Sequence, residues 1–471
     1  MLDYEEVRIW KKEYLLKENE TMQESVLTSI WGFSNTILSG ILDLVNGIKR
    51  PNWTLEFQLT IHFLKYYLQQ SNNKSLSRAR KRLDMVKDWI GVSDEFTLEN
   101  LVIKTSFQDL ILFESAHKRW IIPEEDPNHT IHYSFKGEFL KLKKSLVDRK
   151  VILYLHGGAY VLGSPAAFRH LATKIAKESD TDVLILDYRL APECPFPAAL
   201  HDVLAAYLWL LNPKNSIFSQ NNKEIYSYKP ENIYLGGDSA GGGLVMCFLN
   251  YLNHYIKYQN GKCIVPMPGA AFMFSPWIDL SMSSNSLRIN AEFDYLPRNM
   301  IDLHEPIYPG VAHPVYSYIL GHDHNRKLQI IKNEESDISH CTLYRSENED
   351  KNIVENYIYH PLISPVFESD FSCLPPILIQ SGECEMLRDE TLTLAYKISI
   401  SNNGDNETKS KVRHELYKDM VHVFQVVSSV KSSQIAIQNV ANFLDHARLN
   451  GHLDELLSTD DDFCIVDSYK E

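Results

Sequence analysis

The fold is decided by Ile233-Tyr234-Leu235-Gly236-Gly237-Asp238-Ser239-Ala240-Gly241-Gly242-Gly243 and the apolar stretch Leu244 to Leu252 that follows it. A short apolar run, a glycine-flanked serine and a helix-forming segment predict a strand, a sharp turn and a helix, with G-x-S-x-G at the turn. Such a turn is tight enough to admit only small neighbours, and it thrusts the serine hydroxyl clear of the backbone. Ser239 is therefore the candidate nucleophile. A bare G-x-S-x-G arises often by chance; the strand before it and the helix after it give this one its meaning.

Outward from that turn the same rhythm repeats. Val151 to Leu155, Val183 to Leu186, Ala271 to Phe274 and Ile377 to Ile379 read as buried strands, and Phe168 to Glu178 and His201 to Leu211 as helices. Strand, helix, strand in repetition predicts an α/β fold, a mostly parallel sheet with helices on both faces. Functional residues in such sheets gather at the carboxyl ends of the strands. There, His156-Gly157-Gly158-Ala159 closes the first run. Glycines leave backbone N–H groups open to a reacting carbonyl oxygen, so Gly157 and Gly158, with the N–H of Ala240, are the candidate oxyanion hole. Downstream, Ser381-Gly382-Glu383-Cys384-Glu385-Met386-Leu387-Arg388-Asp389-Glu390 follows a strand, and Met420-Val421-His422 follows the strand-like Val412 to Tyr417. Serine, acid and histidine in that order suit nucleophilic catalysis, with His422 moving the proton and a carboxylate orienting it.

Composition agrees. The 471 residues carry 47 Lys+Arg and 61 Asp+Glu, a net charge of −14, without a basic stripe, so nucleic-acid binding is not expected. Seven scattered cysteines without a C-x-x-C pair argue against a zinc site or a disulfide framework. His304, His313, His322, His324 and His340 lack companion ligands at metal spacing, so no metal is expected.

Three regions flank or interrupt the pattern. Residues 1–100 read as an N-terminal helical cap. Within it Val26, Ile30, Phe33, Ile37, Ile41, Leu44 and Ile48 form one stripe of an amphipathic helix, about 25–48. That helix can pack on the protein, lie in a membrane interface or span a bilayer; a polar face with little Lys or Arg argues against the membrane. Trp53 to Leu68 fits a strand by alternation and a helix by spacing, and Ser77 to Trp89 is a basic surface helix. Residues 101–449 are the catalytic domain, interrupted at about 301–356 by a polar insertion. Residues 450–471, with seven acidic side chains against Lys470, form a solvated tail.

These motifs together resemble the hormone-sensitive-lipase-like α/β-hydrolases, the G-D-x-G enzymes. The resemblance runs from Val151 to Phe424 and rests on His156-Gly157-Gly158, the Asp187-Tyr188-Arg189-Leu190-Ala191-Pro192-Glu193 run, Phe196-Pro197-Ala198-Ala199, Gly237 to Gly242, Ser275-Pro276-Trp277 and Leu387-Arg388-Asp389-Glu390. It implies an eight-stranded α/β-hydrolase sheet with an N-terminal cap, and hydrolysis of carboxylic esters without a cofactor. His156 is expected to brace its loop, and the tyrosine–arginine run to be scaffold. Glu385 and Met386 stand where members commonly have Asp-Pro, so position makes Glu385 the acid and leaves Asp389 as the alternative. Within the family the chain is most similar to fungal steryl acetyl hydrolases, which implies removal of a short acyl group, acetyl above all, from a bulky hydrophobic alcohol such as a sterol. The resemblance also places it at the endoplasmic reticulum or another internal membrane, with a cytoplasmic location as the alternative. Oligomeric state stays open. A non-catalytic receptor on the same scaffold, and an amidase or arylformamidase with the same triad, are the competing functions.

Overall fold

The computed structural model describes residues 47–72, 80, 93–106, 132–143, 149–191, 194, 196–213, 227–254, 265–296, 359–401, 412–449 and 463–465. Nine strands form one sheet: β1 (Phe96–Ser106), β2 (His132–Leu142), β3 (Val151–Leu155), β4 (Asp182–Asp187), β5 (Ile233–Asp238), β6 (Ala270–Phe274), β7 (Ile377–Gly382), β8 (Val412–Tyr417) and β9 (Phe463–Ile465). Their order is β1-β2-β4-β3-β5-β6-β7-β8-β9. The run from β4 to β8 is parallel, and β1, β2 and β9 join antiparallel at the edges. This is the α/β-hydrolase sheet of eight strands, with the short β9 added at its edge.

The alternation of side chains across the pleat builds two layers. Leu153, Leu155, Leu184, Leu186, Leu235 and Met273 face α3 (Ala198–Leu211), α4 (Ala240–His254) and α5 (Arg388–Ile400). Ile152, Tyr154, Ile185, Tyr234 and Phe272 face α2 (Pro165–Glu178) and α6 (Lys431–Leu449). A sheet covered on both faces explains why its central strands read as unbroken apolar runs. After β3 the chain first crosses to β4 on one side and then to β5 on the other. The loops after β3 and β5 therefore diverge, opening a crevice at the carboxyl ends of the strands.

Trp53 to Leu68 resolves as helix: α1 spans Leu55–Asn72. Its inward residues are Phe57 and Ile61, one turn apart and preceded by Trp53, and they share a cluster with Tyr417, Met420, Val421 and Phe424. Trp53 Nε1–H donates to the Asp419 carbonyl at 2.5 Å, and its ring meets Phe57 edge-on at 5.4 Å. The tail differs from expectation in one place: Phe463–Ile465, its apolar run, pairs with Glu415 to Tyr417. The 25–48 helix (apart from residues 47 and 48), the 77–89 segment (apart from Arg80), the 301–356 insertion and the rest of the tail lie outside the described residues. Among the described residues no helix is long and apolar enough to cross a membrane.

Trp53→Ala removes a buried indole, its hydrogen bond and its edge contact. Denaturant unfolding is expected to show a loss of about 3 kcal/mol.

Candidate active site

Ser239 sits between the last residue of β5 and the first of α4, at φ +51°. A left-handed conformation is costly for a residue with a side chain and persists only where its surroundings impose it. Three backbone bonds do so: Ser239 N–H donates to Phe274 O at 2.9 Å, and Ser239 O accepts Gly243 N–H and Trp277 N–H, both at 2.9 Å. Close packing adds to this. A methyl on Gly241 would land on the Leu155 carbonyl, and one on Gly237 would stand 2.6 Å from Gly241 O. Ser239 itself remains partly exposed.

The loop after β3 lies against this turn. Asp238 Oδ1 accepts the Tyr154 hydroxyl at 2.9 Å and the Gly157 N–H at 3.1 Å. Burial pushes the Asp238 carboxyl up to about 7, and those two donors pull it back only in part. Gly157 thus departs from the sequence expectation, because its N–H is committed to Asp238. The amides of Gly158, Ala159 and Ala240 have no such commitment among the described residues. Gly158 (φ +121°) and Ala159 (φ +53°) both take the left-handed turn that swings the loop over the elbow. His156 braces that loop. Its Nδ1 meets Gly157 O at 2.8 Å, its ring stacks on Tyr188 at 4.4 Å, and burial lowers its pKa to about 4, so the ring is neutral and Nδ1–H donates. Tyr188 also donates to His156 O at 2.7 Å, while Arg189 pairs with Asp202 at 2.9 Å.

The acid and the histidine arrive from the neighbouring strands. Glu385, in the turn after β7, is fully buried; its Oε2 accepts the Ser275 hydroxyl at 2.5 Å and the Gly382 N–H at 2.8 Å. Ser275 Oγ in turn accepts the Val423 N–H at 2.9 Å, so one hydroxyl joins the acid to the residue after His422. Ser275 follows β6 next to the strand carrying the elbow, and its N–H donates to Gln380 O at 2.8 Å. Burial raises Glu385 to about 8 and lowers His422 to about 3, favouring the neutral form of each. Glu385 Oε1 and His422 Nδ1, the two atoms that an acid–histidine pair joins, are both buried and both without a hydrogen bond. Asp389, the alternative acid, is committed elsewhere: Oδ1 to Arg388 and Oδ2 to the Ser286 N–H at 2.8 Å.

Ser275 appeared in the sequence only as part of a matching motif, without a role. Asp294 carried no signal at all, yet its buried carboxylate accepts Met386 N–H at 2.7 Å and His422 N–H at 3.3 Å. Among the described residues the one cluster spaced for a metal is Glu383, Cys384 and Asp419. Its two carboxylates are already engaged, Glu383 by the Asp419 N–H and Asp419 by Arg50.

The family model for the alpha/beta hydrolase fold matches residues 152–335 and 331–426, more than half of the chain. The acetyl-hydrolase of Streptomyces hygroscopicus is 31% identical over 282 residues, covering 59% of this chain and 69% of that protein. The esterase of Acinetobacter venetianus is 27% identical over 309 residues, 65% of this chain and 78% of its own. Among solved structures, an esterase from the bacterial hormone-sensitive lipase family superposes with a TM-score of 0.54 at 25% identity, over 82% of this chain and 98% of that one. The chain belongs to the α/β-hydrolase family, in its hormone-sensitive-lipase group, and is a carboxylic ester hydrolase.

A fluorophosphonate probe is expected to label the full chain at Ser239. Ser239→Ala should lose both the label and turnover of p-nitrophenyl acetate, read by gel fluorescence and by absorbance.

Proposed function

We propose that Ser239, His422 and Glu385 act as a catalytic triad and that the enzyme removes a short acyl group, acetyl above all, from a bulky apolar alcohol, of which a sterol acetate is the leading candidate. The observation that carries the triad is Ser275. Beside the strained elbow, its one hydroxyl binds the Glu385 carboxylate and the amide next to His422. Ser239 Oγ attacks the ester carbonyl while His422 takes its proton, and the C–O bond to the alcohol breaks as His422 returns that proton to the leaving oxygen. Water activated by the same ring then cleaves the acyl-enzyme. The amides of Gly158, Ala159 and Ala240 receive the charge that develops on the carbonyl oxygen.

We take the cluster of Trp277, Leu280 and Ile363 with Ala240 and Ala159, where Tyr160 lies 6.2 Å from Trp277, as the acyl side. The similarity to an acetyl-hydrolase supports acetyl as the acyl group. On the other flank, Trp53, Phe57 and Ile61 pack against Val421 and Phe424, on either side of His422 in the chain, and back the histidine loop with a buried apolar cluster. A water-insoluble alcohol is most easily met at a membrane, so we place the enzyme at an internal membrane such as the endoplasmic reticulum. Extraction of membranes with carbonate tests the location.

Two measurements check the chemistry. Activity requires neutral His422 and ionised Glu385, so kcat/KM falls where the pair takes up its proton, and burial holds Glu385 protonated up to about 8. Glu385→Gln leaves His422, held low by burial, to titrate alone, so the acid limb is expected to move to lower pH. The plateau should drop about 10³- to 10⁴-fold. Release of acetate from acetylated sterols in liposomes, absent in Ser239→Ala, is the expected outcome for the substrate. Good turnover of soluble acetates with no release from the sterol esters would remove the sterol.

A further inference from the structure

The segment from Ser286 to Tyr295 has no part in the triad, yet it touches both loops that carry it. Ser286 Oγ donates to Met386 O at 2.7 Å, and Asn290 Nδ2 donates to Glu383 O at 3.1 Å and Glu385 O at 2.8 Å. At its end Asp294, fully buried, spans the gap. Oδ2 accepts the amide of Met386, directly after the acid, and Oδ1 accepts the amide of His422 itself, besides that of Tyr295 at 2.8 Å. From the outside Lys65 of α1 holds this turn by donating to Ala291 O and Asp294 O, each at 2.8 Å. The Tyr295 ring lies 5.9 Å from that of His422.

We propose that Asp294 is a positioning residue, whose single carboxylate fixes the separation of Glu385 and His422 by gripping the backbone of both loops; this rests on the triad read above. Neither loop has regular structure at the residue it carries. A change of their relative position by about 1 Å is enough to cost about a hundredfold in rate. Amide groups given to a carboxylate set a defined geometry, because each charge-assisted bond is short and directional. The carboxylate also faces charge. Glu385 looks on from the acid turn and Lys65 from α1, with Tyr295 and Cys384 beside them, while Arg388 faces Glu385. Asp294 raises the pKa of Glu385 by like-charge repulsion, adding to the effect of burial.

Asp294→Asn keeps the shape but offers one acceptor oxygen and no charge; Asp294→Ala offers neither. In the full chain with p-nitrophenyl acetate, kcat is expected to fall about 10- to 100-fold with KM within about twofold, Ala more than Asn. The acid limb of kcat/KM should move to lower pH, since the charge opposing Glu385 ionisation is gone. A folded Asn variant with kcat within about twofold of the parent overturns the proposal, as does a loss of kcat with an unmoved limb, which would mark Asp294 as a stability residue. Should both variants fail to fold by circular dichroism, Lys65→Met loosens the same turn without touching the carboxylate. There kcat is expected to fall about 3- to 10-fold at unchanged KM, and full activity overturns the proposal. Failure of the triad reading is told apart by the fluorophosphonate label, which would then persist in Ser239→Ala.

Discussion

The backbone of the nucleophile turn and that of the loop after β3 occupy the same few ångströms, and only glycine permits it. A methyl on Gly241 would strike the Leu155 carbonyl, and one on Gly157 would strike the Asp238 carboxylate. This contact places Ser239 beside the amides of the β3 loop and keeps the elbow in its left-handed conformation. It also explains the position of Asp238. A carboxylate buried at the joint takes one N–H from the loop and one hydroxyl from β3, so turn and loop move as one unit. The oxyanion site is therefore a consequence of the packing between two loops, more than of either loop alone.

Around that joint the protein buries several ionisable groups. Asp238, Asp294 and Glu385 are all raised, and His156 and His422 lowered, with desolvation as the leading cause in each case. A buried ion without a partner is costly, and the resting site favours neutral forms. Chemistry changes this balance. When His422 takes the serine proton, an imidazolium forms beside a carboxylate in a medium of low dielectric, where their attraction is far stronger than in water. The groups that penalise charge at rest are the ones that make the charged pair tight in the transition state. Backbone amides, which do not titrate, supply the permanent part of the polarity at Gly382, Met386 and Val423.

How much of this was legible follows from where each signal resides. The strands from β3 to β7 are buried on both faces and each carries an apolar run, so the central sheet was visible, whereas β8, Val412-Arg413-His414-Glu415-Leu416-Tyr417, is half polar and read only as strand-like. β1 and β2 were not: in Thr97-Leu98-Glu99-Asn100-Leu101 polar residues interrupt the run because β1 is the sheet's exposed edge, and in Lys136-Gly137-Glu138-Phe139 the buried Glu138 is there to pair with Arg169. At α1 the alternation Leu55, Phe57, Leu59 mimicked a strand. Burial of Trp53, Phe57 and Ile61, with Phe63 exposed at 48%, shows that the four-residue step prevailed. Ser239, Glu385 and His422 stand in local motifs whose spacing the chemistry dictates. Gly157 was drawn into the oxyanion hole because sequence shows that an amide exists, and only folding shows which acceptor has already claimed it. Ser275 accepts the Val423 amide and Asp294 the His422 amide, each more than a hundred residues away, and such contacts leave no trace in spacing.

The same distance argument bears on the N-terminal helix. The connection from Tyr417 to Lys431 carries His422 and has only the 3₁₀ turn Phe424–Val426 as regular structure, so neighbouring elements must hold it. From one side Asp294 and Ser275 grip its amides. From the other, α1 and the residue pair before it press on it: Trp53 donates to Asp419 O, Arg50 pairs with Asp419, and Phe57 and Ile61 pack with the cluster that holds Met420, Val421 and Phe424. Lys65 then ties the far end of α1 to the Asp294 turn. The catalytic histidine is thus held between the sheet and a helix laid down some 370 residues earlier, and removing α1 would strip the histidine loop of its outer wall along with any cap.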